Sequence, residues 1–153
     1  MEDSKFKLLV LDNFMDFGKK IEKNLAEING KKDAKYIIPL TASRFTNGEG
    51  KVIIDESIRD KEVYVISDVG NYGIKYNFHG TMQCMTPDEH FQDIKRVIFA
   101  LQGYAKKIVL IMPLLYQSRQ DKRIENESLD CALALQELER LGVNNIITFD
   151  VHN

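Results

Sequence analysis

An α/β fold, a parallel sheet with helices on both faces, is predicted by three observations. Short apolar runs of strand length alternate along the chain with stretches of helical periodicity. The run at 108–112, Ile-Val-Leu-Ile-Met, is apolar without alternation, as a central parallel strand covered on both faces must be. The run that begins at Asn145 is β-branched and ends in Asp150-x-His152, so polar groups stand at a strand's carboxyl end. Open α/β sheets bind their ligands there. The crossovers joining such strands are right-handed.

The chain has 153 residues, enough for one domain with a real core. Hydrophobic residues make up 44% and charged residues 29%, ordinary values for a globular protein, which exclude a disordered chain. No apolar run approaches the ~20 residues that span a bilayer, and the polar start Met1-Glu2-Asp3-Ser4-Lys5 is unlike a signal peptide. Neither a membrane nor a nucleic acid is expected as partner, since a net charge of -2 offers no broad attraction to phosphate backbones. An anionic ligand must be held by a local basic cluster. Cys84 and Cys131 form no Cys-x-x-Cys motif and read as reduced thiols of a cytoplasmic protein.

Taken in order, residues 6–11 form the first strand, and Asp12-Asn13 can cap the helix that follows. Phe14, Phe17, Ile21, Leu25 and Ile28 mark its apolar face, and Asn29-Gly30 ends it. Residues 35–38 give a second strand, closed by Pro39. Between Thr41 and Asp55, two extended runs flank Asn47-Gly48-Glu49-Gly50, which predicts a β-hairpin because Asn-Gly accepts the positive φ of tight turns. On these residues alone, Asn47 and Gly48 either only make the turn or also serve a ligand, and Phe45 either packs or is displayed.

Residues 62–67 are a strong strand. The segment 68–84 bears glycine and tyrosine, shows no period, and reads as a long loop. His79 and His90 lack ligand-like spacing and are expected at the surface. Thr86, Pro87 and Glu89 make a capping box with proline at the first helical position. Phe91, Ile94, Ile98, Leu101 and Ala105 are the buried stripe of that helix, and Lys106-Lys107 suit its negative end. After the strand at 108–112, Pro113 opens a loop carrying Arg119, Lys122 and Arg123, either a solvated charged loop or a phosphate site. Ser128-Leu129 open the last helix, with Cys131, Ala134, Leu135, Leu138 and Leu141 inward and Gly142 as its cap. Asp150 and His152, two apart on an extended strand, share a face. They either cap the strand end or hold a divalent cation.

Three stretches in fixed order resemble one family, the ribose-phosphate pyrophosphokinases (phosphoribosyl pyrophosphate synthetases). The first is Arg44-Phe45-Thr46-Asn47-Gly48-Glu49 with Glu56-Ser57-Ile58-Arg59-Asp60-Lys61-Glu62-Val63-Tyr64. The second is the loop from Pro113 to Asp121, ending Ser118-Arg119-Gln120-Asp121. The third is Leu141-Gly142-Val143 through Thr148-Phe149-Asp150-Val151-His152. The resemblance implies a phosphoribosyltransferase-like α/β fold with a protruding flag hairpin, and an enzyme that transfers diphosphate from ATP to ribose 5-phosphate with Mg2+. By the same resemblance, Phe45 stacks on adenine, Asn47 and Glu49 read its edge in a neighbouring subunit's site, Arg119, Gln120 and Asp121 belong to the ATP loop, and Asp150 and His152 hold Mg-ATP. A cytoplasmic homo-oligomer, a dimer or larger and a hexamer by resemblance, is implied.

The resemblance has departures. Leu114, Leu115 and Tyr116-Gln117 replace an aromatic pair and a small residue followed by Tyr, and Glu125 to Asp130 lose an Arg and a Pro. The 68–84 segment is longer than the family's. The family's ribose-phosphate loop, pyrophosphate loop and catalytic flap are not in the sequence, so residues 1–153 are expected to be the amino-terminal ATP-binding domain of a two-domain synthetase. The alternative is a non-catalytic regulatory or nucleotide-binding subunit associated with a synthetase.

Overall fold

The computed structural model describes residues 5–152, so residues 1–4 of the polar start and Asn153 at the end of the last run lie outside the described residues. Its centre is a four-stranded sheet in the order β1 (Phe6–Val10), β4 (Glu62–Ile66), β7 (Lys107–Ile111), β8 (Asn145–Ile147). Every pairing in it is parallel: Leu8 lies opposite Tyr64, Tyr64 opposite Val109, and Val109 opposite Asn145. Helix α1 (Met15–Ile28) covers one face; α2 (Pro87–Leu101) and α3 (Asp130–Arg140) cover the other.

The two-residue period of a strand divides the core. Leu9, Val63, Val65 and Leu110 pack with Phe91, Ile94, Ile98, Leu101 and Leu138 of α2 and α3. Leu8, Val10 and Ile66 turn to the other face, against Ala26 of α1 and Tyr36. Burying each large aliphatic side chain contributes roughly 1.5–3 kcal/mol, so the sheet is held from both sides. Helix α1 sits close on β1 because residue 18 is glycine: a Cβ there would lie 2.5 Å from Val10 Cγ2. The capping box of α2 is complete, with Glu89 N donating to Thr86 Oγ1 and Thr86 N donating to the Glu89 carboxylate.

The expected hairpin is β2 (Leu40–Arg44) with β3 (Gly50–Ile54), a separate antiparallel pair laid on α2. Several other expectations are corrected. Residues 35–38 form no regular strand; Tyr36 O accepts from Leu8 N and Ile38 N donates to Leu8 O, a single bridge on the outer edge of β1 before Pro39 stops it. Part of the 68–84 segment is a hairpin, β5 (Lys75–Phe78) with β6 (Thr81–Cys84). His79 and Gly80 turn it at φ 46° and 88°, the positive pair that a two-residue hairpin turn needs. Asp12 and Asn13 lie in a 3-10 turn whose cap, Leu11, makes no side-chain bond. Helix α2 ends at Leu101, since Gly103 turns left-handed at φ 79°, so Lys107 starts β7 instead of closing a helix. Helix α3 starts at Asp130, with Ser128 Oγ bonded to Asp130 Oδ2 at 2.9 Å instead of capping. Ile28, the last residue of α1, is exposed.

His90 is the plainest correction, because it is buried at 2% exposure. It lies on the inward face of α2 with Ile94, Val97 and Leu101. Its Nδ1 accepts from Asn13 Nδ2 at 3.1 Å and its Nε2 donates to Asn71 O at 2.7 Å. Asn13, also buried, bonds Ser67 Oγ and receives Asp68 N. Among the described residues, no helix is long and apolar enough to cross a membrane.

Candidate functional site

The loops after β7 and β8 are stitched together. The carbonyl oxygen of Pro113 accepts from Phe149 N at 3.0 Å, from Asp150 N at 2.9 Å and from Thr148 Oγ1 at 3.0 Å. Leu115 N returns a bond to Asp150 O at 3.1 Å, and Leu114 and Asp150 form an isolated parallel bridge. The regular strand stops at Ile147, three residues before Asp150, because the ladder slips by one residue there: Met112 N still donates to Ile147 O, but the next bonds are made by Pro113 O and Leu115 N. Asp150 and His152 therefore stand on a loop beyond the strand end, not on the strand itself.

This stitching brings the predicted site residues of the two loops to one end of the sheet. His152 Nδ1 lies 3.8 Å from Asp121 Oδ1. Asp150, His152 and Arg119 are exposed, while Gln120 and Asp121 are half-buried. Gln120 O accepts from Cys131 N at 3.4 Å, which pins the loop to the start of α3. Burial and the charge of Asp121 push the Cys131 thiol up from its ordinary value. Gln120 Oε1 is buried and has no donor. Tyr116, at a position where the loop departs from the family, lies flat on Phe91 with ring centroids 4.1 Å apart and donates to Asp88 Oδ1 at 2.8 Å. Burial raises its hydroxyl pKa, and Asp88 adds to the rise. Nothing in the sequence pattern points to this Phe91–Tyr116–Asp88 clasp, because it joins an aromatic loop residue to a helix some twenty-five positions earlier.

No group of three or more His, Cys, Asp or Glu side chains that could hold a metal occurs among the described residues. The donors at this end of the sheet are the carboxylates of Asp121 and Asp150 with one imidazole, His152. Oxygen donors in this small number suit Mg2+, which keeps several waters and is commonly shared between one or two carboxylates and phosphate.

Phe45, Asn47 and Glu49 lie on the turn between β2 and β3. Phe45 N donates to Glu49 O at 2.8 Å, Gly48 N to Phe45 O at 2.9 Å, and Glu49 N to Asn47 Oδ1 at 3.1 Å. All three side chains stay exposed. Beside them Arg44 is half-buried, with Nη2 2.6 Å from Asp93 Oδ2, and Arg96 Nη1 is 2.7 Å from Asp93 Oδ1. Both guanidiniums therefore share one carboxylate of α2. A cavity of about 250 Å³ lies here, lined among others by Asp12, Asn13, Arg44, Tyr76, His90 and Asp93. The bonds of this turn and of Arg44 beside it run to α2 and to β5–β6.

Residues 6–142 match the family described as the N-terminal domain of ribose phosphate pyrophosphokinase. The chain belongs to this family. It is similar to the ribose-phosphate pyrophosphokinase of Oceanobacillus iheyensis, at 26% identity over 99% of this chain and 41% of that protein. It is also similar to that of Bacillus caldolyticus, at 29% identity over 95% of this chain and 40% of the relative. The crystal structure of phosphoribosylpyrophosphate synthetase from Mycobacterium smegmatis shares its fold, with a TM-score of 0.79 and 23% identity, covering 98% of this chain and 44% of that one. The chain thus spans about two-fifths of the length of these pyrophosphokinases.

Proposed function

We propose that this chain is the nucleotide-binding half of a ribose-phosphate pyrophosphokinase, which moves diphosphate from ATP to the C1 hydroxyl of ribose 5-phosphate and leaves AMP. The observation that carries the reading is the junction of the Arg119–Gln120–Asp121 loop with the Asp150-x-His152 loop through Pro113 and Asp150. It sets a guanidinium, two carboxylates and an imidazole at one end of a parallel sheet, where α/β folds bind ligands. Arg119 is free to make paired hydrogen bonds to a polyphosphate. Asp150 and His152 would hold Mg2+, and Asp121 lies beside His152. When bound, the ion neutralises charge on the phosphates being transferred.

The exposed Phe45 offers a π face to a purine, and Asn47 and Glu49 offer an amide and an acceptor for its edge. In this reading the base is contacted by the turn of a neighbouring copy, and the working form is a homo-oligomer, a dimer or larger up to a hexamer. Ribose 5-phosphate would be bound by a domain corresponding to the relatives' remaining length. We place the protein in the cytoplasm, with no membrane or nucleic-acid partner. Calorimetric titration of the chain with Mg-ATP tests the reading. Binding that Arg119→Ala weakens about tenfold, the loss of one paired contact to a charged group, is expected. Absence of binding to both ATP and tripolyphosphate would overturn it.

A further inference from the structure

The turn at residues 45–49 is fastened from outside by the β5–β6 hairpin. His79 N donates to Thr46 O at 3.0 Å, tying the tips of the two hairpins together. Phe78 packs over Gly48, where a Cβ would lie 3.4 Å from its Cε2 and where φ is 89°. The Arg44 guanidinium carbon lies 5.8 Å from the centroid of the Tyr76 ring. The Tyr76 hydroxyl donates to Glu89 Oε1 at 2.6 Å, anchoring the second hairpin to the first turn of α2. Neither Phe78 nor Tyr76 belongs to the two apolar clusters that hold the sheet and its helices. They contact the first hairpin, each other and the start of α2, and Phe78 also meets the His79 ring edge-on.

A two-stranded hairpin is marginal by itself in water. An unbraced turn would sample many arrangements of Phe45, Asn47 and Glu49, and a ligand would then bear the cost of ordering them. We infer that β5–β6 is a positioning element for base recognition: it holds the 45–49 turn in one arrangement and so sets affinity and selectivity for the nucleotide base. Phe78 and Tyr76 are its positioning residues, and neither needs to touch the nucleotide. The inference rests on the reading of Phe45, Asn47 and Glu49 as the base-contacting group.

The test compares the unaltered full chain with Phe78→Ala and with Met82→Ala, an exposed β6 residue that serves as control. Each is titrated by calorimetry with Mg-ATP, Mg-GTP and magnesium tripolyphosphate, at concentrations where sedimentation shows self-association. Tripolyphosphate carries no base, so its binding reports the polyphosphate loops and the integrity of the fold. Phe78→Ala is expected to weaken ATP about tenfold, within the range that a stacked base contributes, and to narrow the preference for ATP over GTP. Tripolyphosphate affinity stays unchanged, and Met82→Ala changes nothing. Unchanged ATP affinity in Phe78→Ala overturns the inference, and so does an equal fall for ATP and tripolyphosphate. If Phe45→Ala loses ATP selectively while Phe78→Ala does not, only the bracing role fails. Equal affinity of the unaltered chain for ATP and tripolyphosphate removes base recognition and overturns the inference while the polyphosphate site stands. If the chain binds neither, both readings fall together.

Discussion

His152 Nδ1 stands 3.8 Å from Asp121 Oδ1, across the gap between the loop that follows β8 and the loop that follows β7. At that distance the pair is a loose contact, open to a cation set between or beside the two groups. Asp150→Asn keeps the side-chain volume and the backbone bonds to Pro113 and Leu115, but removes one charged oxygen donor. It should lower affinity for Mg-ATP about tenfold while leaving affinity for metal-free ATP unchanged, because only the metal-linked part of binding is lost. Calorimetry with magnesium and with a chelator checks this. Equal losses in both conditions would count against Asp150 as a metal ligand.

Gly18 is required by the approach of α1 to β1. A Cβ would sit 2.5 Å and 2.6 Å from the two γ-carbons of Val10, which is itself buried in the core. Gly18→Ala gains helix propensity but forces the helix outward, so the net effect should be a loss of about 1–3 kcal/mol. Val10→Ala in the same chain should return part of that loss by making room. Urea unfolding of the single and double variants measures both, and additive losses would show that the clash is not the cause.

Much of the fold was legible because local and global signals agreed. The capping box at Thr86, the unbroken apolar run of β7 and the Asn47-Gly48 turn each had one physical reading, and each formed. The misses share a cause. His90 and Asn13 are polar residues buried by partners far away in sequence, Asn71 and Ser67, and no window around either residue contains that information. The β5–β6 hairpin turns on His79-Gly80, where the usual Asn-Gly signal is absent. The Asp150-x-His152 pair was visible as chemistry, but its displacement beyond the strand depends on Pro113 across the sheet. The attachment of the hairpin to α2 also rests on tertiary contacts, those of Arg44 with Glu89 and Asp93.

Asp93 of α2 holds the hairpin through the Arg44 guanidinium, and Arg96 of the same helix shares its carboxylate. The side chains of Arg44 and Asp93 are 9% and 10% exposed, so their charges are poorly solvated. Asp93→Ala would leave Arg44 and Arg96 facing each other without a counter-charge, at a cost of about 3 kcal/mol. Thermal or urea unfolding should show that loss. The triple change Arg44→Met, Asp93→Leu, Arg96→Met removes all three charges and should recover most of it. Failure of the uncharged variant to recover stability would mean that the cluster acts through specific hydrogen bonds, such as Arg44 Nη2 to Glu89 O, more than through charge balance.

Glu89 links the same region to pH. Partial burial works against its charge, but the Tyr76 hydroxyl, the backbone N–H and hydroxyl of Thr86, and Arg44 together hold its carboxyl below its ordinary value of 4.5. A carboxyl whose pKa is lower in the folded chain than in the unfolded one binds fewer protons when folded. Its contribution to stability is therefore fully present above the unfolded value and is lost as pH falls through the folded one. Stability should decline from about pH 4.5 downward as the capping box and the Tyr76 bond lose their charged acceptor. Glu89→Gln keeps an acceptor oxygen without the titration, so its stability should be lower at pH 7 and its decline below pH 4.5 shallower. Unfolding free energies measured from pH 3 to 7 on both chains decide the matter, and parallel curves would show that Glu89 does not carry this part of the acid sensitivity.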